Sequence, residues 1–84
     1  MYARKITFTL LAPSIWAVVE AVGKTNIGNE YNRYLMKTNN NSGIVLEVFG
    51  TRQDASKSLD VLKALQGLHE QAMAKIAVSE GELI

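Results

Sequence analysis

Residues 54–78, DASKSLDVLKALQGLHEQAMAKIAV, space their apolar side chains as an α-helix does. At about 100° per residue, Ala55, Leu59, Val61, Leu62, Leu65, Leu68, Ala72, Met73 and Ile76 share one half-circle, and Lys57, Asp60, Lys63, Gln71 and Lys75 occupy the other. A helix so broadly apolar must lie against a second layer, which the remaining residues have to supply. Its start is marked by Thr51-Arg52-Gln53-Asp54, a capping box in which Thr51 accepts from the Asp54 amide and the Asp54 carboxylate reaches back. Gly67 falls on the polar side, where it costs about 1 kcal/mol relative to Ala; the sequence offers no reason for it. The tail SEGELI is expected to fray or to add a short edge strand at Glu82-Leu83-Ile84.

The second layer is visible in the first fifty residues. RKITFTLL, residues 4–11, alternates Ile6, Phe8 and Leu10 with Lys5, Thr7 and Thr9, the pattern of a half-buried strand. After Pro13 the run from Ile15 to Val22 is apolar except for Glu20 and stops at Gly23, which favours a short buried helix, with a strand as the alternative because of Val18, Val19 and Val22. GKTNIGN, residues 23–29, is a loop by composition. Residues 30–38 fit either a helix or a strand. The strand is preferred because Asn39-Asn40-Asn41-Ser42-Gly43 can close a hairpin between residues 31–38 and the strand-like IVLEVF of residues 44–49. The expected fold class is therefore α+β, a β-α-β-β-α order over 1–84 as a single domain, with a three-stranded sheet packed on the long C-terminal helix. Ile6, Phe8, Leu10, Leu46, Val48, Leu59, Leu62, Leu65, Leu68 and Ile76 form the expected core.

Composition limits the function classes. With 84 residues, a chain buries a modest share of its unfolded surface, and self-association, most simply a homodimer, is the default expectation. Its hydrophobic content of 48% excludes a disordered chain, and a net charge of +1 gives no field that selects nucleic acid or anionic membrane. No apolar run approaches the roughly 20 residues of a membrane span. The absence of cysteine removes disulfide and thiolate chemistry and fits a cytoplasmic setting. Arg4-Lys5 followed by an apolar run loosely imitates a secretory leader, but threonines interrupt it.

Chemistry-bearing residues are few. His69, the one histidine, falls mid-way along the apolar face between Leu62, Leu65 and Ile76, the place of a core or interface histidine rather than of a base. One histidine with no cysteine leaves no ordinary zinc site, so metal and cofactor are both expected to be absent. Gly23-Lys24-Thr25 echoes the end of a phosphate-binding loop, but position 18, where its first glycine belongs, is valine. No serine has a histidine partner near in sequence, and no catalytic residue is assigned. Tyr31 and Tyr34 flank Arg33, a grouping able to form a protein-contact surface. Lys24, Arg33 and Lys37 are the cations available should a subunit interface hold a small nucleotide.

Two resemblances bear on function. Lys5-x-Thr7-x-Thr9, Pro13, an apolar segment, Gly23-Lys24-Thr25 and Asn29-Glu30-Tyr31-Asn32-Arg33-Tyr34-Leu35-Met36 together resemble the ribbon-helix-helix family of the Arc and Mnt phage repressors. That resemblance implies paired strands across a dimer, with Lys5, Thr7 and Thr9 reading bases in the major groove and Thr25 binding a phosphate. The layout of strand, helix, hairpin and long helix resembles the DinI family of small RecA modulators. Small size, sparse chemistry and the DinI-like layout lead to the expectation of a non-enzymatic interaction module, a phage or mobile-element regulator or inhibitor that binds a host protein; the ribbon-helix-helix resemblance gives a DNA-binding repressor as the alternative. The two part on one feature: the repressor needs β-strand 4–10 paired with its own copy, whereas the module needs 31–38 paired with 44–49.

Overall fold

In the computed structural model, which describes residues 1–23 and 31–84, four strands form one antiparallel sheet with the helices on one side of it. The elements are β1 (Tyr2–Leu10), a 3-10 turn at Pro13–Ile15, α1 (Trp16–Gly23), β2 (Tyr31–Lys37), β3 (Ser42–Phe49), α2 (Arg52–Lys57), α3 (Asp60–Ala72) and β4 (Met73–Glu82). The sheet order is β2-β3-β1-β4. The early strand, the helix ending at Gly23 and the 31–38 hairpin all form as their sequence patterns predict. Thr51 caps α2 as expected, its Oγ1 accepting from the Asp54 amide at 3.1 Å.

The long helix and the three-stranded sheet are corrected. Residues 54–78 break twice: at Ser58 and Leu59, where ψ opens to 76° and 4°, and again at Met73, where the chain becomes extended. β4 then pairs along β1 from Met73↔Leu10 to Glu82↔Tyr2. Two physical causes favour the strand. Without β4, the free edge of β1 would leave a row of backbone groups without partners. Ile76 and Val78 are β-branched, and Ser79 and Gly81 are poor helix formers. A register shift between Thr9 and Leu10 lets Met73 and Ile76, three positions apart, both face the helices. Their helical spacing is thus met by a bulged strand.

The core lies between sheet and helices. Ile6, Phe8, Leu10 and Leu65 are buried as expected, and Leu62, Leu68 and Ile76 pack against them partly buried. Trp16, Val19, Val45, Val61 and Met73 complete this cluster, while Tyr2, Phe49 and Ala55 form a second. Leu46 and Val48 are a correction. They lie half-buried on the other side of the sheet, because β3 turns Val45, Glu47 and Phe49 inward. Leu59 is half-buried at the break between α2 and α3, and His69 is half-buried in the last turn of α3.

Trp16 locks one end of the sheet. Its ring meets Phe8 edge-on at 5.4 Å, its Nε1 donates to Asn40 O at 2.7 Å, and the Lys37 ammonium sits 5.4 Å over it. Asn39 Oδ1 accepts from the amides of Asn41 and Ser42, which closes the β2–β3 turn. Gly43 is required here, since a Cβ would stand 2.5 Å from Trp16 Cη2 and 2.9 Å from Phe8 Cζ. Gly67, by contrast, has nothing within 4 Å, and the structure gives no reason for it either.

Both resemblances fail on topology. β1 is an interior strand with β3 on one edge and β4 on the other, so it has no edge left for its own copy in a ribbon-helix-helix dimer. Residues that such a repressor would place in its second helix form β2, paired from Tyr31↔Phe49 to Lys37↔Gly43. The DinI layout ends on a long helix, whereas this chain ends on a strand.

Candidate functional site

Strand alternation gives the sheet two chemically different faces. On the helix-covered face, Arg4 and Glu47 are 1% and 0% exposed and form an ion pair at 3.1 Å. Arg4 reaches further: its Nε meets Glu80 Oε2 at 3.0 Å, Nη1 donates to Ser58 O at 2.7 Å, and Nη2 donates to Ala55 O at 2.6 Å. Its guanidinium also lies 5.1 Å from the centre of the Phe49 ring. Arg33 Nε approaches Glu47 Oε2 at 3.5 Å, and the Tyr2 hydroxyl donates to Glu80 Oε1 at 3.0 Å. The Arg4 hydrogen bond is the main cause that holds the Glu80 carboxyl below its ordinary range, while burial first, then Glu80 itself, push the Tyr2 phenol up. Sealed in this way, the cluster works as a clamp joining β1, β3 and β4 to the carbonyls at the end of α2.

The opposite face is not covered by any described helix. Ala3, Lys5, Thr7 and Thr9 of β1 stand beside Ile44, Leu46, Val48 and Ser42 of β3, with Tyr34 and Met36 on β2 and Lys75, Ala77 and Ser79 on β4. Tyr34 and Met36 are 57% and 52% exposed. At the end of this face near the β2–β3 turn is a depression of about 320 Å³, lined by Thr7, Thr9, Thr38, Ser42, Ile44, Lys75 and Ala77 over the backbone of Phe8 and Gly43. Thr9 Oγ1 and Ser42 Oγ lie 3.5 Å apart on its wall. Four hydroxyls, a single ammonium and two apolar side chains give it what a small polar organic molecule needs, and its volume is at the lower end for such sites.

Lys5, Thr7 and Thr9, expected to read DNA bases in the repressor reading, lie on one face of β1, and Thr7 and Thr9 line the depression. Thr25 and Lys24 lie outside the described residues. Tyr31 opens β2, and the next two of that trio part company: Arg33 turns toward the helices with its side chain 4% exposed, and Tyr34 turns to the open face. Thr38, Ser42 and Lys75 were not marked as site residues by their sequence context. Lys75 could not be, because helical periodicity assigned it to a solvent-facing helix surface. Among the described residues no group of three or more His, Asp or Glu could hold a metal ion, and no described helix is long and apolar enough to cross a membrane.

Comparison with solved structures decides the architecture. The chain is similar to a candidate antibiotic biosynthesis monooxygenase from Nitrosomonas europaea at a TM-score of 0.77 and 12% identity, over 100% of this chain and 99% of that one. It is similar to a dimeric ferredoxin-like protein from an uncultured marine organism at 0.71 and 6%, over 99% and 87%. The fold is ferredoxin-like. A third ferredoxin-like match is SnoaB, a cofactor-independent oxygenase from Streptomyces nogalater, at 0.65 and 15% over 99% and 92%. No family model matches the chain, and no curated protein matches it. At these identities the likeness establishes the ferredoxin-like fold. It replaces both the ribbon-helix-helix and the DinI resemblance. It also overturns the expectation of a non-enzymatic phage or mobile-element regulator bound to a host protein, and that of a DNA-binding repressor, since the architecture is shared with proteins named as oxygenases.

Proposed function

We propose that the chain acts as a homodimer, one domain per subunit, that binds a small organic molecule on the open face of its sheet, with oxygenase chemistry as the reaction class. The observation that carries this reading is the outward turn of β3. Ile44, Leu46 and Val48, an all-apolar row, face away from the helices and continue into Tyr34 and Met36. Contiguous exposed apolar surface of this kind marks an interface or a ligand site. A second copy laid sheet to sheet would cover the row and roof the depression, removing it from water. The dimeric ferredoxin-like neighbour and the oxygenases among the neighbours support the two halves of the proposal. Thr7 and Thr9 are the proposed hydrogen-bonding groups toward the ligand, and Tyr34 a contact between subunits.

Sedimentation velocity on the wild type and on Leu46→Lys is the first test. The wild type should sediment as a dimer and the variant as a folded monomer. A wild-type monomer would remove the proposal. Small molecules that raise the thermal midpoint of the wild type can then be followed for oxygen consumption. If every molecule that binds leaves oxygen untouched, the oxygenase half is wrong and a binding role remains.

A further inference from the structure

The sheet sorts its charges by face. Arg4, Arg33, Lys37, Glu47, Glu80 and Glu82 all take helix-side positions in the register. Among the described residues, the charged strand residues on the open side are Lys5 and Lys75, both cations, and the register sets no carboxylate opposite either of them. Lys5 faces Leu46 and Ser79, and Lys75 faces Thr9. Every described acidic strand residue is thus committed to the other face.

This segregation has a consequence if the sheets pair as proposed above, a reading on which the present inference rests. A twofold interface brings the same patch to itself, so the described strand residues opposite would again offer lysines and no carboxylate. An ammonium enclosed in this way without a counter-charge is strongly disfavoured. Lys75 lines the depression together with the hydroxyls of Thr7, Thr9, Thr38 and Ser42, while Ile44 and Ala77 give it an apolar side. We propose that the depression takes a small organic carboxylate, with the carboxylate on the Lys75 ammonium and the hydroxyls and the hydrocarbon body against Ile44 and Ala77. Its volume of about 320 Å³ corresponds to roughly ten water molecules, which suits an acid of one or two rings.

The test is an NMR titration of the full chain with acetate, benzoate and 1-naphthoate, each beside its neutral amide. Benzoate or naphthoate should move the amide signals of Thr7, Thr9, Ser42 and Ala77 and bind about tenfold more tightly than the amide, the scale of one charge-assisted hydrogen bond. Lys75→Gln should abolish the preference while the dimer persists. Lys5→Gln, on the same face but outside the depression, should keep it. Equal binding of acid and amide, signals moving elsewhere, no binding by any of the three acids, or a preference that survives Lys75→Gln would each overturn the inference. Sedimentation of the same samples separates the two failures: a monomer removes the dimer reading as well, whereas a dimer with no taste for carboxylates removes the ligand class alone.

Discussion

β3 shows two opposite answers to burial within eight residues. Toward the helices it presents Val45, Glu47 and Phe49, and toward the open side Ile44, Leu46 and Val48. The row with a full negative charge is the buried one, and the wholly apolar row is half exposed. Glu47 can be inside because Arg4 and Arg33 meet it there, which offsets the cost of removing its charge from water. No such arrangement holds on the open face, where no described element lays a second layer over the apolar row. What the contrast teaches is that alternation identifies residues that share a face, while the choice of the inner face depends on partners far away in sequence.

The strongest way to break the contrast is to remove the charge that makes the inner face tolerable. Arg4→Ala leaves Glu47 and the carbonyls of Ala55 and Ser58 short of donors, and should cost about 3–5 kcal/mol in urea unfolding. A loss below about 1 kcal/mol would mean that the clamp is not what stabilises the charged row. Gly43→Ala acts on the same face without touching charge. The new methyl group would meet Trp16 and Phe8, and the expected loss is about 1–3 kcal/mol, with a change in tryptophan fluorescence.

Changes on the open face should behave differently. Leu46→Lys is expected to alter the stability of the isolated subunit by less than about 1 kcal/mol while abolishing the dimer in sedimentation, so that a variant which unfolds outright would place Leu46 in the core after all. The smallest effect is expected from pH at the rim of the clamp. Glu80 has a folded pKa below its ordinary value of 4.5, chiefly through its hydrogen bond from Arg4, so the folded chain binds fewer protons there than the unfolded chain does. Its contribution is present above about 4.5 and is lost as pH falls below that value through the folded pKa. Because the Glu80 side chain is 34% exposed, the effect should be small. Glu80→Gln should flatten part of the fall in thermal midpoint between pH 5 and 3, and an unchanged profile would remove Glu80 as a contributor.

Much of the local structure was legible in the residues. Period-two alternation in RKITFTLL, the asparagine-rich turn before Gly43 and the Thr51 cap each act over a few neighbours, and each forms as its chemistry dictates. The stretch from Met73 to Val78 was not legible, since Met73 and Ile76 satisfy helical spacing and a bulged strand alike. The candidate site was legible only in part. Thr7 and Thr9 were placed on a common face by alternation, but Lys75 joins them solely because β4 lies beside β1.

The sequence by itself determined that this chain is α+β and where its first strand and its Thr51 helix cap stand, and it left the first helix and the 31–38 hairpin strand as the preferred of two readings each. Only the tertiary structure decided that the chain closes with a fourth strand, that Glu47 rather than Leu46 faces inward, and that Lys75 lines the depression with Thr7 and Thr9. The physical reason is the range of the forces involved. Turns, caps and alternation are settled by contacts between near neighbours, whereas the free edge of β1 and the pairing of Arg4 with Glu47 join residues about 40 to 80 positions apart, and no local pattern records them.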